Sequence, residues 1–436
     1  MSASPRTVPP TRTRRLHPAW AVAAVTFATL LAAGAFRSVP ATLLDPVRAE
    51  FGWSTASVSA AVSVNLVLYG LMAPFAAALM QRFGVQRVVA VALLLVAAGS
   101  AGSAFVTARW QLVATWGVLV GLGTGSMAMS LAATVVGRWF TARRGLVTGV
   151  LAAAASAGQL VFLPLVATLA RDHGWRTPCL VIAAVAAAVV PLVLLRLHEH
   201  PADRGVEPYG GALLEAGPVR PLGALGALRL AVRHRAFWFL AAGFAVCGAT
   251  TNGLVGTHFV AAAHDHGMPP TTAASLLALV GLFDVAGTIA SGWLTDRVDP
   301  RWLLLGYYAL RGVSLLLLPG LLAPDVQPAT WVFVVFYGLD WIATVPPTIA
   351  LARQHFGLAG PVVFGWVFAS HQVGAAVMAF VAGVLRDGTG AYDSAFWVGG
   401  VLCLSAAVLS LQVAGPRAPG SRPAAGTAAA APRSGR

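Results

Sequence analysis

The chain contains no lysine: all 29 of its basic residues are arginines, set against 15 acidic residues in a length of 436. Charged residues of both signs make up only 10% of it, where soluble globular proteins carry roughly 25%. At 58% hydrophobic, no soluble core could bury the apolar surface and still present a polar exterior. The same apolar excess excludes a disordered chain. Cysteine is scarce too. Cys179, Cys247 and Cys403 stand singly in apolar stretches, with no Cys-x-x-Cys or Cys/His spacing, which argues against a disulfide framework or a metal site. There is no P-loop lysine, His-Glu-x-x-His or nucleophile elbow, so an enzyme is not expected and no cofactor is implied. Gly117, Gly121, Gly123 and Gly125 lie inside an apolar run and read as small-residue helix packing.

What the chain does have is apolar runs long enough to cross about 30 Å of hydrocarbon at about 1.5 Å per residue. They fall at roughly 18 to 45, 55 to 80, 87 to 106, 110 to 137, 145 to 170 and 176 to 197. Six more follow at roughly 236 to 263, 271 to 295, 302 to 322, 328 to 352, 361 to 385 and 392 to 413. Period-two alternation is absent, so helices must satisfy the backbone in lipid. Trp20, Trp53, Trp110, Trp139, Trp175, Trp238, Trp302, Trp331 and Trp397 fall at the run ends, where amphipathic rings prefer the interface.

Alternate connections differ sharply in arginine. One side collects 22 of them and the other 5, leaving Arg37 and Arg311 within spans. Basic residues accumulate on the cytoplasmic side, so both termini are expected there, and the basic excess is an orientation signal rather than a nucleic-acid footprint. Sliding the sequence by 215 residues brings Gly52 onto Gly267, Arg82 onto Arg297, Arg138 onto Arg353 and Arg171-Asp172 onto Arg386-Asp387. The expected architecture is an all-α membrane protein of twelve transmembrane helices in two six-helix pseudo-symmetric halves. Six is even, so the halves run the same way about an axis along the membrane normal, with a cavity between them. The expected divisions are a basic N-terminal tail (1–17), a six-helix bundle (18–197), a polar cytoplasmic linker (198–235), a second bundle (236–413) and a disordered C-terminal tail (414–436).

At this point the sequence resembles the major facilitator superfamily of transporters over roughly residues 18 to 413. That family carries a loop of Gly, three residues, Asp-Arg, one residue, Gly and basic residues between its second and third helices. Gly292-Trp-Leu-Thr-Asp296-Arg297 repeats it in the second half; in the first, Gln81-Arg82-Phe83-Gly84 places Gln81 where the family has Asp. By the resemblance, the loop carboxylate latches against a helix end and a nearby arginine when the cytoplasmic side is closed, which implies a full latch of Asp296 with Arg353 and only a hydrogen bond of Gln81 toward Arg138. Ala35-Phe36-Arg37-Ser38, Phe51-Gly52-Trp53-Ser54, Arg138-Trp139-Phe140 and Gly174-Trp175-Arg176 resemble the monocarboxylate-transporter-like branch, with its oxalate/formate-antiporter relatives. That branch has a cation near Arg37, an Asp in helix 8, matched by Asp284, and an Arg four residues later, where this chain has Thr288. Arg311 is the candidate stand-in for the missing cation.

An ionisable side chain at mid-membrane costs at least about 2.5 to 3.5 kcal/mol, so each is a functional hypothesis by default. Arg37, Asp284, Arg311 and Asp340 qualify, and their formal charges sum to zero. The bland alternative is a static helix-to-helix ion pair. A guanidinium fork matches a carboxylate, so Arg37 and Arg311 favour an organic anion as substrate. An aspartate can change its charge, so Asp284, with Asp340 and the mid-span His371, are the candidate proton carriers. Asn65, Tyr69, Gln159 and Asn252 are candidate hydrogen-bonding partners of the substrate, or equally interhelical glue. Pro346-Pro347, six residues after Asp340, must interrupt the helical ladder.

These features predict a secondary active transporter of a small monocarboxylate-like anion across a bacterial inner membrane. It is expected to work by alternating access, coupled to protons or a counter-anion, as a monomer in the lipid bilayer with no bound metal. The alternatives are a lipophilic-cation or drug exporter of the same fold and a transporter-like membrane sensor.

Overall fold

A computed structural model describes residues 17–36, 40–53, 55–211 and 222–413; Arg37, the two tails and the side chain of Gln159 lie outside the described residues. The first half comprises α1 (Pro18–Phe36), α2 (Pro40–Phe51), α3 (Thr55–Phe83), α4 (Val85–Ser103), α5 (Arg109–Trp139), α6 (Arg144–His173) and α7 (Arg176–Arg196). A short linker helix, α8 (Ala224–Ala231), follows. The second half comprises α9 (Arg235–Asp265), α10 (Pro270–Thr295), α11 (Pro300–Leu321), α12 (Pro328–Asp340) with α13 (Val345–Phe356), α14 (Gly360–Thr389) and α15 (Asp393–Gln412). The long helices account for twelve crossings, with α12 and α13 sharing one. Among the described residues the only strand-like feature is a single bridge between Phe140 and Tyr209.

Two crossings are interrupted at matching places. The fifth helix loses its regular ladder at Met127 and Ala128, while α12 ends at Asp340 and α13 begins at Val345. At the 215-residue offset these interruptions coincide, Met127-Ala128 falling on Ile342-Ala343. Pro346 and Pro347 do not kink a continuous helix. They occupy the opening turn of α13, where missing N–H donors cost nothing.

The halves meet along two seams, α6 against α10 and α3 against α14. Each needs glycine. A Cβ on Gly145 would come 2.3 Å from the Gly292 carbonyl oxygen, and one on Gly149 would come 2.5 Å from that of Thr288. In the other seam a Cβ on Gly365 would come 2.5 Å from Cα of Pro74. No larger residue fits without parting the halves, which gives these glycines a packing role.

The linker is fastened at the end of the bundle where α3 ends and α4 begins. Glu199 accepts from the backbone N–H groups of Val85 (2.6 Å) and Gln86 (2.8 Å), capping α4, and pairs with Arg138 at 3.0 Å. Tyr209 bridges to Trp139, Thr141 and Ala142 through its backbone, and its ring meets those of His17, Trp20 and Phe140. At the opposite end Glu50 accepts from Trp175 Nε1 (2.7 Å) and from the fork of Arg176, and these bonds hold its carboxyl below the usual carboxylate range.

Candidate functional site

The buried charges gather on the α12–α13 interruption. Ending a helix inside a membrane leaves carbonyls and N–H groups without partners, and in lipid these must be satisfied by protein. Asp284 Oδ1, on α10, accepts from the Ile342 N–H at 2.9 Å and from its neighbour Thr288 Oγ1 at 2.8 Å. Ser291, two turns further along α10, donates to the Ala343 carbonyl at 2.5 Å. From α11, Arg311 Nη2 donates to the carbonyls of Asp340 (2.5 Å) and Trp341 (3.2 Å). Sequence patterns gave no sign of Ser291, and Thr288 was marked only as standing where the resembled branch has an arginine, because nothing in the spacing tells which polar side chain will face a helix break two spans away.

Arg311 is consumed by this task. Its Nε donates to Asp340 Oδ2 at 2.6 Å and its Nη1 to Cys247 Sγ at 3.1 Å, with the guanidinium fully buried. Every partner belongs to the second half, so Arg311 stands in an internal ion pair between α11 and α12 and does not face a substrate cavity in this conformation. Asp340 is engaged in the same helix-to-helix pair. Asp284 differs. It is 0% exposed and sits on the α6 seam beside Ser156 of the other half; its Oδ2, like Asp340 Oδ1, has no hydrogen-bond partner among the described residues.

The remaining candidates separate by neighbourhood. Asn65 is buried and donates to the Trp116 carbonyl at 2.9 Å, inside a π-helical stretch of α5 (Val113–Val120) whose widened turn leaves carbonyls to be satisfied. It acts as interhelical glue here. Tyr69 and His371 lie on the two sides of the α3–α14 seam, linked by Phe368: Tyr69 meets that ring edge-on at 5.6 Å, and His371 stacks on it at 5.9 Å. Phe244 of α9 completes the cluster, 5.0 Å from the imidazole. Asn252 lies in the second π-helical stretch (Ala249–Val255) with its side chain exposed, just before Gly253, which packs on Ala375, and Gly256, which faces Trp341. At the 215-residue offset Asn252 is the counterpart of Arg37, which follows the last residue of α1. A cavity of about 540 Å³ at the α9–α10 end, lined by His264, Asp265, Arg386 and Tyr392, contains none of these candidates.

Of the latch that the resemblance implies, the structure has the helix end and not, among the described residues, the arginine partners. Asp296 accepts from the N–H groups of Gly145 (2.7 Å) and Leu146 (2.9 Å), so it caps α6 of the opposite half rather than pairing with Arg353. Two N–H donors at a helix N-terminus suit a carboxylate better than a distant guanidinium does. Gln81 donates instead to the Leu358 carbonyl at 3.0 Å, just before α14, while Arg138 is taken by Glu199 and by the Met80 carbonyl. Glu199, which sequence patterns did not single out, therefore holds the arginine expected for Gln81. Arg82 and Arg297 are exposed, each lying over an aromatic ring, Phe83 and Trp293. Arg353 forms no ion pair among the described residues.

The two latches should fail differently. Asp296→Ala uncaps two amides, so hydrogen exchange at Gly145 and Leu146 is expected to accelerate by roughly tenfold, about what one cap is worth. Gln81→Ala frees only a carbonyl and should leave amide exchange at the start of α14 within about twofold. Peptide-level hydrogen–deuterium exchange measures both, and equal protection in Asp296→Ala would remove that residue from the latch.

Comparison with known proteins agrees with this geometry. The chain matches the family model described as Major Facilitator Superfamily over residues 25–363 and 245–434. It is 30% identical to mouse monocarboxylate transporter 11 over 415 residues, covering 92% of this chain and 88% of that one. Rat monocarboxylate transporter 13 is 28% identical, covering 87% and 85%. YcxA of Bacillus subtilis, an uncharacterized MFS-type transporter, is 25% identical, covering 86% and 90%. Among solved structures, the human organic anion transporter MFSD10 superposes with a TM-score of 0.69 at 17% identity, covering 90% and 99%. The E. coli fucose:proton symporter FucP gives 0.67 at 14%, covering 89% and 98%. These last two likenesses concern the fold. The chain is thus a multi-pass membrane transporter rather than an enzyme, and it belongs to the major facilitator superfamily, where it is similar to the monocarboxylate transporters.

Proposed function

We propose that the protein moves a small organic anion, of the monocarboxylate kind, across a bacterial inner membrane by alternating access, coupled to a proton or to a second anion. The observation that carries this reading is the contrast among the buried charges. Asp340 and Asp284 each keep one carboxyl oxygen without a partner among the described residues, but Asp340 is paired with Arg311 inside the second half, whereas Asp284 has no arginine partner and lies on the seam between the halves. Asp284 Oδ2 can take up a proton while Oδ1 keeps both of its donors. The seam must part for the site to face the other side, so a proton held there is placed to be counted in each cycle. Arg37, the mate of exposed Asn252 across the repeat, is the cation assigned to the substrate carboxylate, with Tyr69 and His371 on the facing seam. The side chain of Gln159 stays a candidate from its place on α6.

Both termini and the linker are assigned to the cytoplasm by the arginine count. With Asp296 and Gln81 closing that end, the conformation is assigned as open toward the outside. The proposed unit is a monomer, organised as tail, bundle, linker, bundle and tail.

A thermal-shift screen against short monocarboxylates, dicarboxylates and lipophilic cations tests the substrate class, since ligand bound only by the folded state raises Tm. Monocarboxylates are expected to stabilise the protein, and Arg37→Gln should weaken that response by about tenfold or more, the worth of a charge-assisted hydrogen bond. One observation favours a second reading. With Arg311 and Asp340 paired internally, the charges left are Arg37 and Asp284, and a cargo held by Asp284 instead of Arg37 would be a lipophilic cation; stabilisation by such cations alone would replace the anion reading with an exporter.

A further inference from the structure

The linker helix α8 buries one stripe and leaves its flanks uncovered. Ala224, Ala227 and Ala231 are buried against α14 and α3, and their small side chains let the helix lie close across the seam between the two halves. Leu225 at 56% exposure and Leu230 at 38% lie on either side of that stripe with exposed Arg229 between them on the outward side, and Leu222, Val232 and Trp238 at the start of α9 are exposed nearby. Trp238 Nε1 donates to the Val232 carbonyl, which ties Trp238 to the end of the helix. Leucines on a polar linker are not explained by packing within the protein, since nothing in the described chain covers them.

Depth identifies what does. The Ala224 carbonyl accepts from Trp366 Nε1 at 2.9 Å. Trp366 lies six residues into α14, about 9 Å from its end, and its ring meets that of Phe75, eight residues before the end of α3 and itself 39% exposed. The helix therefore lies at the level where acyl chains give way to headgroups, on the flank of the bundle rather than beneath it. Arg229, Arg233 and Arg235 stand among these side chains, all exposed and none in an ion pair among the described residues; residues 222–235 contain no acidic side chain. A helix at the interface with exposed leucines and unpaired arginines beside them has the composition of an in-plane helix that binds anionic lipid.

We propose that α8 is a binding site for anionic phospholipid, with Arg229 and Arg233 on the headgroup phosphate and Leu225 and Leu230 among the acyl chains. The proposed cytoplasmic orientation decides only which leaflet supplies the lipid; the binding itself does not depend on it or on the transported substrate.

Full-length protein in a neutral detergent is titrated with phosphatidylglycerol or phosphatidylcholine, and Tm is followed. Phosphatidylglycerol is expected to raise Tm saturably and phosphatidylcholine not. Arg229→Gln with Arg233→Gln should weaken the phosphatidylglycerol response on the order of tenfold. Leu225→Ser should weaken it less, and Arg109→Gln, at the other end of the bundle, should leave it unchanged. The two arginines are exposed, so the double variant is expected to fold, with unliganded Tm and gel filtration as the check. An unchanged phosphatidylglycerol response in the folded double variant, or equal responses to the two lipids, overturns the site. Failure of every carboxylate to bind would overturn the transport reading and leave this result standing.

Discussion

Asp284→Asn is expected to abolish uphill accumulation of substrate driven by an imposed proton gradient while leaving counterflow exchange at equal pH largely intact. The substitution suits the site unusually well. Asn keeps an oxygen in the place of Oδ1, so Ile342 N–H and Thr288 keep their acceptor and the α12–α13 interruption stays capped. What is lost is the ability to gain and release a proton at the unused oxygen. Tm should therefore stay close to that of the parent, which separates this variant from Asp284→Leu, where the Ile342 amide loses its partner at a cost of about 1–3 kcal/mol. Transport is read in proteoliposomes with and without a pH step. Persistent accumulation in Asp284→Asn would move the proton to Asp340 or His371.

The second large effect concerns folding. Arg311→Met should sharply reduce the yield of folded protein, because it leaves the Asp340 carboxylate buried without its counter-charge; breaking one partner of such a pair costs about 3–5 kcal/mol. The loss is compounded because Arg311 also satisfies the Asp340 and Trp341 carbonyls. Adding Asp340→Asn removes the stranded charge, so the double variant is expected to recover much of the yield and Tm. Fluorescence-detected gel filtration and thermal denaturation measure both. A rescued double variant that still transports establishes the pair as structural. One that folds normally but cannot transport would return Arg311 and Asp340 to the mechanism.

How much of this was legible in the sequence follows from what physics constrains locally. Crossings were legible because bilayer thickness fixes the length of each apolar run, and the repeat was legible because Arg82 and Arg297, or Arg138 and Arg353, recur at one offset. The close approach of Gly117 and Gly121 to α3 was implied by small residues in a span. Partnerships were not legible. That Arg311 is buried follows from its surroundings, but that it serves Asp340 depends on the rotation of two helices about their axes. The break at Met127-Ala128 has no proline to announce it. Pro346-Pro347 did announce one, but as the start of a new helix rather than a bend in an old one. The resemblance implied a helix end and an arginine for Asp296, and the amides that open α6 supply the first while no arginine among the described residues supplies the second.

The burial of all three cysteines has a practical consequence. Cys179 and Cys403 are 0% exposed and Cys247 is 2% exposed, so polar thiol-reactive probes should ignore the native chain. Reporter cysteines can then be introduced singly at the surface with the natural three left in place. The customary cysteine-free background is the worse choice for this protein. Cys247 Sγ accepts from Arg311 and contacts Thr344 Oγ1 at 3.2 Å, so replacing it by alanine would withdraw one of the partners that hold the guanidinium in the core.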